Sequence, residues 1–149
     1  MREILFRGKP ICPTRNTAGL KRDGFVYGCF AKLRLKSTGK VQCLIQPVDK
    51  RGHAMLLVEV DSETVGQYTG QADKAGTKIF EGDALKEDDV THNGEIQIRG
   101  HIWVVDEHAG CWAVRLPGTE EWDFLWSFRK CSKVIGNIHD NPELIGGGQ

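Results

Sequence analysis

The chain has 149 residues, 40% of them hydrophobic and 27% charged, which suits one globular domain with a real core and argues against disorder. No apolar run approaches the ~20 residues that cross a bilayer, and no apolar stretch of about 7–15 residues follows Arg2 as a signal peptide requires, so a cytoplasmic protein without membrane attachment is expected. Its 20 basic and 20 acidic residues cancel overall but not locally: residues 1–53 hold twelve basic and three acidic side chains, a net +9, leaving −9 for the rest. Such asymmetry points either to an anionic partner for the basic part or to neutralisation of one part by the other, within a molecule or between protomers.

Residues 2–7 read as a first strand, with Ile4 and Phe6 on one face and Glu3 and Arg7 on the other. Residues 10–23 contain two prolines, Asn16 and Gly19 and read as a long loop. From Phe25 the pattern alternates: Phe25, Tyr27, Cys29, Ala31, Leu33 and Leu35 against Val26, Gly28, Phe30, Lys32, Arg34 and Lys36, the period of a half-buried strand. Lys32, Arg34 and Lys36 then line an outward face at about 7 Å intervals. That repeat is comparable with phosphate spacing on a nucleic-acid strand, which makes the three candidate nucleic-acid contacts. A solvated face that discourages edge pairing is the commoner role. Val41, Cys43 and Ile45 form a short strand that Pro47 ends, having no N–H for a ladder. Met55 to Val60 is a nearly continuous apolar run suited to a central strand.

The stretch 66–85 sets two short β segments around a polar centre in which Asp73 and Gly76 supply turn chemistry. Its glycines match neither phosphate-cradle spacing, so it reads as framework. Glu87, Asp88 and Asp89 lack the ligand pattern of a calcium loop. Asn93-Gly94 marks a tight hairpin. Ile96, Ile98, Ile102 and Val104 share a face, with Gly100 placed to kink or bulge the strand. Asp106 to Gly110 reads as a loop, and 111–116 as the next strand. Asp106, His108 and Cys111 offer carboxylate, imidazole and thiol together, but no spacing fixes their geometry as a metal or catalytic site.

Trp112, Trp122 and Trp126 are candidate protein-binding residues. Aromatic side chains on a small β scaffold either fill the core or form a platform, and the acidic neighbours Glu120, Glu121 and Asp123 disfavour phosphate there. Residues 127–131 suggest a helical turn, 133–138 a last strand, and 146–149 a flexible tail. Five widely spaced cysteines, with no CxxC, fit neither a disulfide framework nor a zinc knuckle. They read as ordinary buried or half-buried thiols.

Three parts of the chain carry a family resemblance. The run Glu63-Thr64-Val65-Gly66-Gln67-Tyr68-Thr69-Gly70, followed by Asp73, Gly76 and Ile79-Phe80-Glu81-Gly82-Asp83, resembles the YopX family of phage and prophage proteins. The opening, residues 1–9, and the closing, residues 134–144, resemble the family's start and end. Ala72 and Ala84 depart mildly, standing where a polar and a branched aliphatic residue are usual. The resemblance implies a mainly β protein with an SH3-like β-barrel core, and it carries no catalytic residues across.

The expected organisation is one YopX-like domain over 1–145, made of an N-terminal β region (1–60) and a barrel core (64–145). The expected function is non-enzymatic binding of a protein partner, with no cofactor and no bound metal. Self-association is a further expectation. Nucleic-acid binding through the basic first third is the alternative.

Overall fold

Alternating apolar residues in short runs, punctuated by glycine, give a chain that is mainly β. The computed structural model describes residues 3–12, 20–21, 23–97 and 100–146. Two compact units are defined by their internal contacts, Met1–Tyr68 and Thr69–Gln149. Among the described residues no helix is long and apolar enough to cross a membrane.

In the first unit β1 (Phe6–Gly8), β2 (Val26–Arg34), β3 (Val41–Gln46) and β4 (Val58–Val60) form an antiparallel sheet in the order β4-β3-β2-β1. Next to β1 lies β5 (Gly66–Ala72), which begins in this unit and ends in the second. The registers Phe6↔Gly28, Phe30↔Ile45, Cys43↔Val60 and Ile45↔Val58 place one set of side chains on a common face. There Val26, Cys43, Ile45, Val58 and Val60 are buried, with Phe6, Phe30, Leu20 and Val65 packed against them. On the opposite face, Phe25 is sandwiched between the Arg7 guanidinium, 4.4 Å from its ring centre, and the Lys9 ammonium at 4.1 Å. Lys9 Nζ donates to the Asp23 carbonyl (2.7 Å), and the Tyr27 hydroxyl donates to the Asp23 carboxylate. Burial and that carboxylate push the Tyr27 phenol well above its ordinary range, so it stays a donor.

Two sequence expectations are corrected here. The inward side of β2 carries Val26, Gly28 and Phe30, while Tyr27 is half-buried and Cys29 exposed. Apolar residues occupied both alternation sets, so period alone could not choose the core face. The run before Val60 is not a central strand. Only Val58–Val60 forms a strand, the last of the sheet order, and Leu56 and Leu57 ahead of it are 77% and 53% exposed. Much of the expected loop over 10–23 lies outside the described residues, as do Ile98 and residues 147–149 of the tail.

The second unit contains β6 (Lys78–Phe80), β7 (Asp83–Glu87), β8 (Val90–His92), β9 (Glu95–Gln97), β10 (Ile102–His108), β11 (Cys111–Arg115), β12 (Trp122–Phe124) and β13 (Ser132–Asn137). Between β12 and β13 the chain makes a one-turn helix α1 (Leu125–Phe128) and a 3-10 turn (Arg129–Cys131), and α2 (Glu143–Gly146) follows β13. Five strands form an antiparallel sheet in the order β12-β11-β10-β7-β13, and β8 and β9 make a separate hairpin. One face of the sheet carries Leu85, Val105 and Val114, closed by Ile79, Leu125 and Phe128 and flanked by Trp103, Trp112 and Val134. Leu125 and Phe128 are three apart, so one turn of helix buries both.

The sheets are open, which corrects the expectation of a closed barrel. The order ends at β12 and β13, which are not paired with each other. β12 is three residues long, and its Phe124 N–H is taken by the Asp123 carboxylate (2.7 Å) and its carbonyl by the Ser127 hydroxyl (3.1 Å). Local side chains thus satisfy the Phe124 groups that a further strand would use.

Asn93 and Gly94, at φ 52° and 80°, turn β8 into β9 as their sequence implied. Gly100, at φ 57°, separates β9 from β10, and Ile96 is exposed rather than on a shared core face. Instead of an Asp106–Gly110 loop, β10 runs on to His108, which pairs with Cys111 across a two-residue turn. In that turn Ala109 and Gly110 have φ 51° and 81°, and a methyl side chain in the left-handed region costs about 1–2 kcal/mol. Ala109→Asn is therefore expected to raise stability by about 0.5–1 kcal/mol, read as a higher urea midpoint. An unchanged or lower midpoint would dismiss the strain at Ala109.

Candidate binding surfaces

The stretch that carries the family resemblance is framework. The Thr69 hydroxyl donates to the Ile79 carbonyl (2.8 Å), both in the second unit. Asp73 Oδ1 accepts from the N–H groups of Ala75 and Thr77, and Oδ2 from that of Val134, all at 2.9 Å. Gly76, at φ 85°, completes the turn, and Asp83 Oδ2 accepts from Phe80 N–H at 2.8 Å. Carboxylates so occupied by backbone donors are fastening the chain.

An aromatic row lies on the outer face of the second unit. The registers Arg115↔Trp122 and Ala113↔Phe124 place both rings on one face of β12. Trp122 is 41% and Phe124 50% exposed. His108 stacks on Trp122 with ring centres 4.1 Å apart, and Phe124 meets Trp122 edge-on at 5.0 Å. The Arg115–Asp106 ion pair (3.9 Å) lies on the same face, and the exposed residues Glu120 and Glu121 precede the row, while Asp123 alternates to the other face of β12.

The three tryptophans singled out by sequence are not one platform. Trp112 pairs across from Glu107 and is three residues from Arg115, so it faces the opposite side from Trp122 and packs against the core. Trp126 stands out from α1 at 64% exposure, with the Lys130 ammonium 4.3 Å from its ring centre. Sequence proximity grouped residues that strand alternation separates. Phe124 was missed, although its i, i+2 relation to Trp122 was visible in the sequence.

Asp106, His108 and Cys111 share a face but are occupied differently, Asp106 by Arg115 and His108 by Trp122. Among the described residues no three His, Cys, Asp or Glu side chains are placed to hold a metal. Burial, together with the carboxylates of Glu87, Asp88 and Asp123, pushes the Cys131 thiol above its ordinary range, which suppresses the nucleophilic thiolate. Cys43 is buried, while Cys12, Cys29, Cys111 and Cys131 are exposed.

The second surface is in the first unit. β1 pairs with β2 only as far as Gly28, and β4 pairs with β3 only over Cys43 to Ile45. β2 and β3 continue beyond as far as Arg34↔Val41, closed by Leu35 N–H to the Lys40 carbonyl (2.8 Å). Every residue from 31 to 41 is exposed. Lys32 and Arg34 share the strand face that carries Phe30 nearer the core, whereas Lys36 lies in the turn. The expected three-residue line is therefore two strand residues plus the tip, joined by Lys40.

A mainly β protein with a framework-type signature stretch is the class that emerges. The chain belongs to the YopX family: the family model described as YopX protein matches residues 32–146. It is similar in fold to a crystal structure of protein EF1440 from Enterococcus faecalis, with 21% identity and a TM-score of 0.51 over 97% of this chain and 99% of that one. No curated protein matches the sequence.

Proposed function

We propose that this protein is a non-enzymatic binding module of a phage or prophage, which holds a protein partner on the His108–Trp122–Phe124 row. The observation that carries this reading is the row itself: Trp122 in contact with His108 on one side and Phe124 on the other, all exposed, on a sheet edge where the Phe124 backbone is already capped. Exposed tryptophan in contact with a second aromatic ring is typical of interface hot spots. Capping of Phe124 favours docking on the side chains over addition of a strand. The order β13-β7-β10-β11-β12, with a 3-10 turn before the last strand, supports an SH3-like core in the second unit, an analogy of fold alone. Absence of a membrane attachment and a cytoplasmic location belong to the same reading.

A photo-crosslinker at position 115, beside the row, is expected to trap one defined partner protein in cells. Trp122→Ala/Phe124→Ala should reduce that product at least about tenfold, since truncating hot-spot rings typically costs 2 kcal/mol or more. Equal trapping by the variant, with an unchanged CD spectrum, would sink the reading.

The exposed cations of the β2–β3 ribbon favour a second reading, nucleic-acid binding through Lys32, Arg34 and Lys36. It requires affinity that falls steeply with salt, and it fails if Lys32→Glu/Arg34→Glu/Lys36→Glu leaves that affinity unchanged.

A further inference from the structure

We infer that the β2–β3 ribbon of one molecule docks on the aromatic row of a second copy, so that the protein associates head to tail. This rests on the reading of the row as a protein-binding face and names its occupant. The two units carry opposite charge: Met1–Tyr68 holds twelve basic and six acidic side chains, a net +6, and Thr69–Gln149 holds eight and fourteen, a net −6. The complementarity is local as well. The ribbon presents Lys32, Arg34, Lys36 and Lys40, and no ion pair engages these side chains among the described residues. The row follows directly on the exposed carboxylates of Glu120 and Glu121 at the start of β12, while Asp123, across from Val114, points to the other face of the strand.

The ribbon is also apolar. Leu33, Leu35 and Val41 are 48%, 36% and 39% exposed, with Val41 across from Arg34 on the face of the cations and Leu33 on the other face of the ribbon. A two-stranded ribbon extending past its neighbours is marginally stable in water, and exposed aliphatic side chains at its tip are unneeded for phosphate contact, which calls on charge. They do match an aromatic surface. Cations over aromatic rings already recur within this chain, at Phe25 with Arg7 and Lys9 and at Trp126 with Lys130. The contact is heterologous: each molecule that gives its ribbon keeps a free row, so assembly continues into a ring or chain.

Two variants separate the halves of the contact. Lys32→Glu/Arg34→Glu/Lys36→Glu removes the ribbon's charge and leaves the row, and Trp122→Ala/Phe124→Ala does the converse. Light scattering on gel filtration should show wild-type protein larger than a monomer, with its mass falling from about 0.1 M to about 1 M salt as the screening length drops from about 10 Å to about 3 Å. Each variant alone should be monomeric. Their equimolar mixture should form a dimer and nothing larger, because only one productive contact remains. Glu120→Lys/Glu121→Lys combined with the reversed ribbon should restore self-association, which a misfolded variant would not do. A monomeric wild type at low salt, a mixture that stays monomeric, or a ribbon variant that loses co-eluting nucleic acid with no change in mass would each overturn the inference. A monomeric wild type whose Trp122→Ala/Phe124→Ala variant still loses crosslinking would leave the binding row in place and remove only this occupant.

Discussion

Replacing Asp73 with alanine is expected to destabilise the second unit by about 3 kcal/mol, since a hydrogen bond to a charged group contributes about 1.5–3 kcal/mol net. The carboxylate is 5% exposed and receives three backbone N–H groups. Two of them, from Ala75 and Thr77, lie in an exposed turn and can turn to water when the acceptor goes, so their loss is the smaller part. The third, from Val134, lies on β13, a sheet edge whose ladder faces β7, and its loss leaves a half-buried donor unpaired. Asp73→Asn is the informative companion. Its carbonyl can still serve the turn, but the amide then presents N–H to the N–H of Val134, so about half of the loss should persist. Chemical denaturation measures both, and hydrogen exchange should locate the damage at the amides of Thr77 and Val134. An Asp73→Ala variant within about 0.5 kcal/mol of wild type, the range of ordinary surface substitutions, would show that the carboxylate is incidental.

Much of the fold was legible because local chemistry decided it. Asn93-Gly94 makes its hairpin, Pro47 follows the end of β3, and Val41, Cys43 and Ile45 alternate as a strand does, with Cys43 and Ile45 buried. What escaped depended on partners distant in sequence. The core face of β2 is chosen by Ile45 on β3 and Phe6 on β1, and neither choice is encoded in the alternation of β2 itself. The apolar run before Val60 looked central because hydrophobicity reports burial only when another layer covers it. The row was partly visible: Trp122 was singled out, but His108 was weighed only as a metal or catalytic residue, and its stacking partner arrives through the register of β10 with β11 and β11 with β12. Basic side chains at 32, 34 and 36 were readable as exposed, yet the ribbon they share exists only because β1 and β4 stop short.

Gly28→Ala is expected to disrupt the first unit, at a cost of about 3 kcal/mol or more, at or beyond the top of the usual overpacking range. A Cβ at Gly28 would lie 2.0 Å from the Gln46 carbonyl oxygen, 2.6 Å from its carbon and 3.0 Å from Pro47 Cα. These are backbone atoms, so no rotamer change relieves the contact. Either the end of β3 lifts away, carrying fully buried Ile45 with it, or β2 leaves its pairing with Phe6 on β1. Gly39→Ala makes the contrast at the far end of the same ribbon. Nothing lies within 4 Å of its Cβ, but φ is 71°, so only the left-handed strain of about 1 kcal/mol applies. Amide exchange at Ile45 and Gln46 should rise sharply for Gly28→Ala and stay unchanged for Gly39→Ala, whose effect ends at the turn. If the first unit tolerated both equally, β3 could move by more than 1 Å at no large cost, and the base of the ribbon would be as pliable as its tip. A ribbon pliable at its base could not hold Lys32 and Arg34 in register against a second molecule, so Gly28 bears on the proposed docking surface as well as on the core.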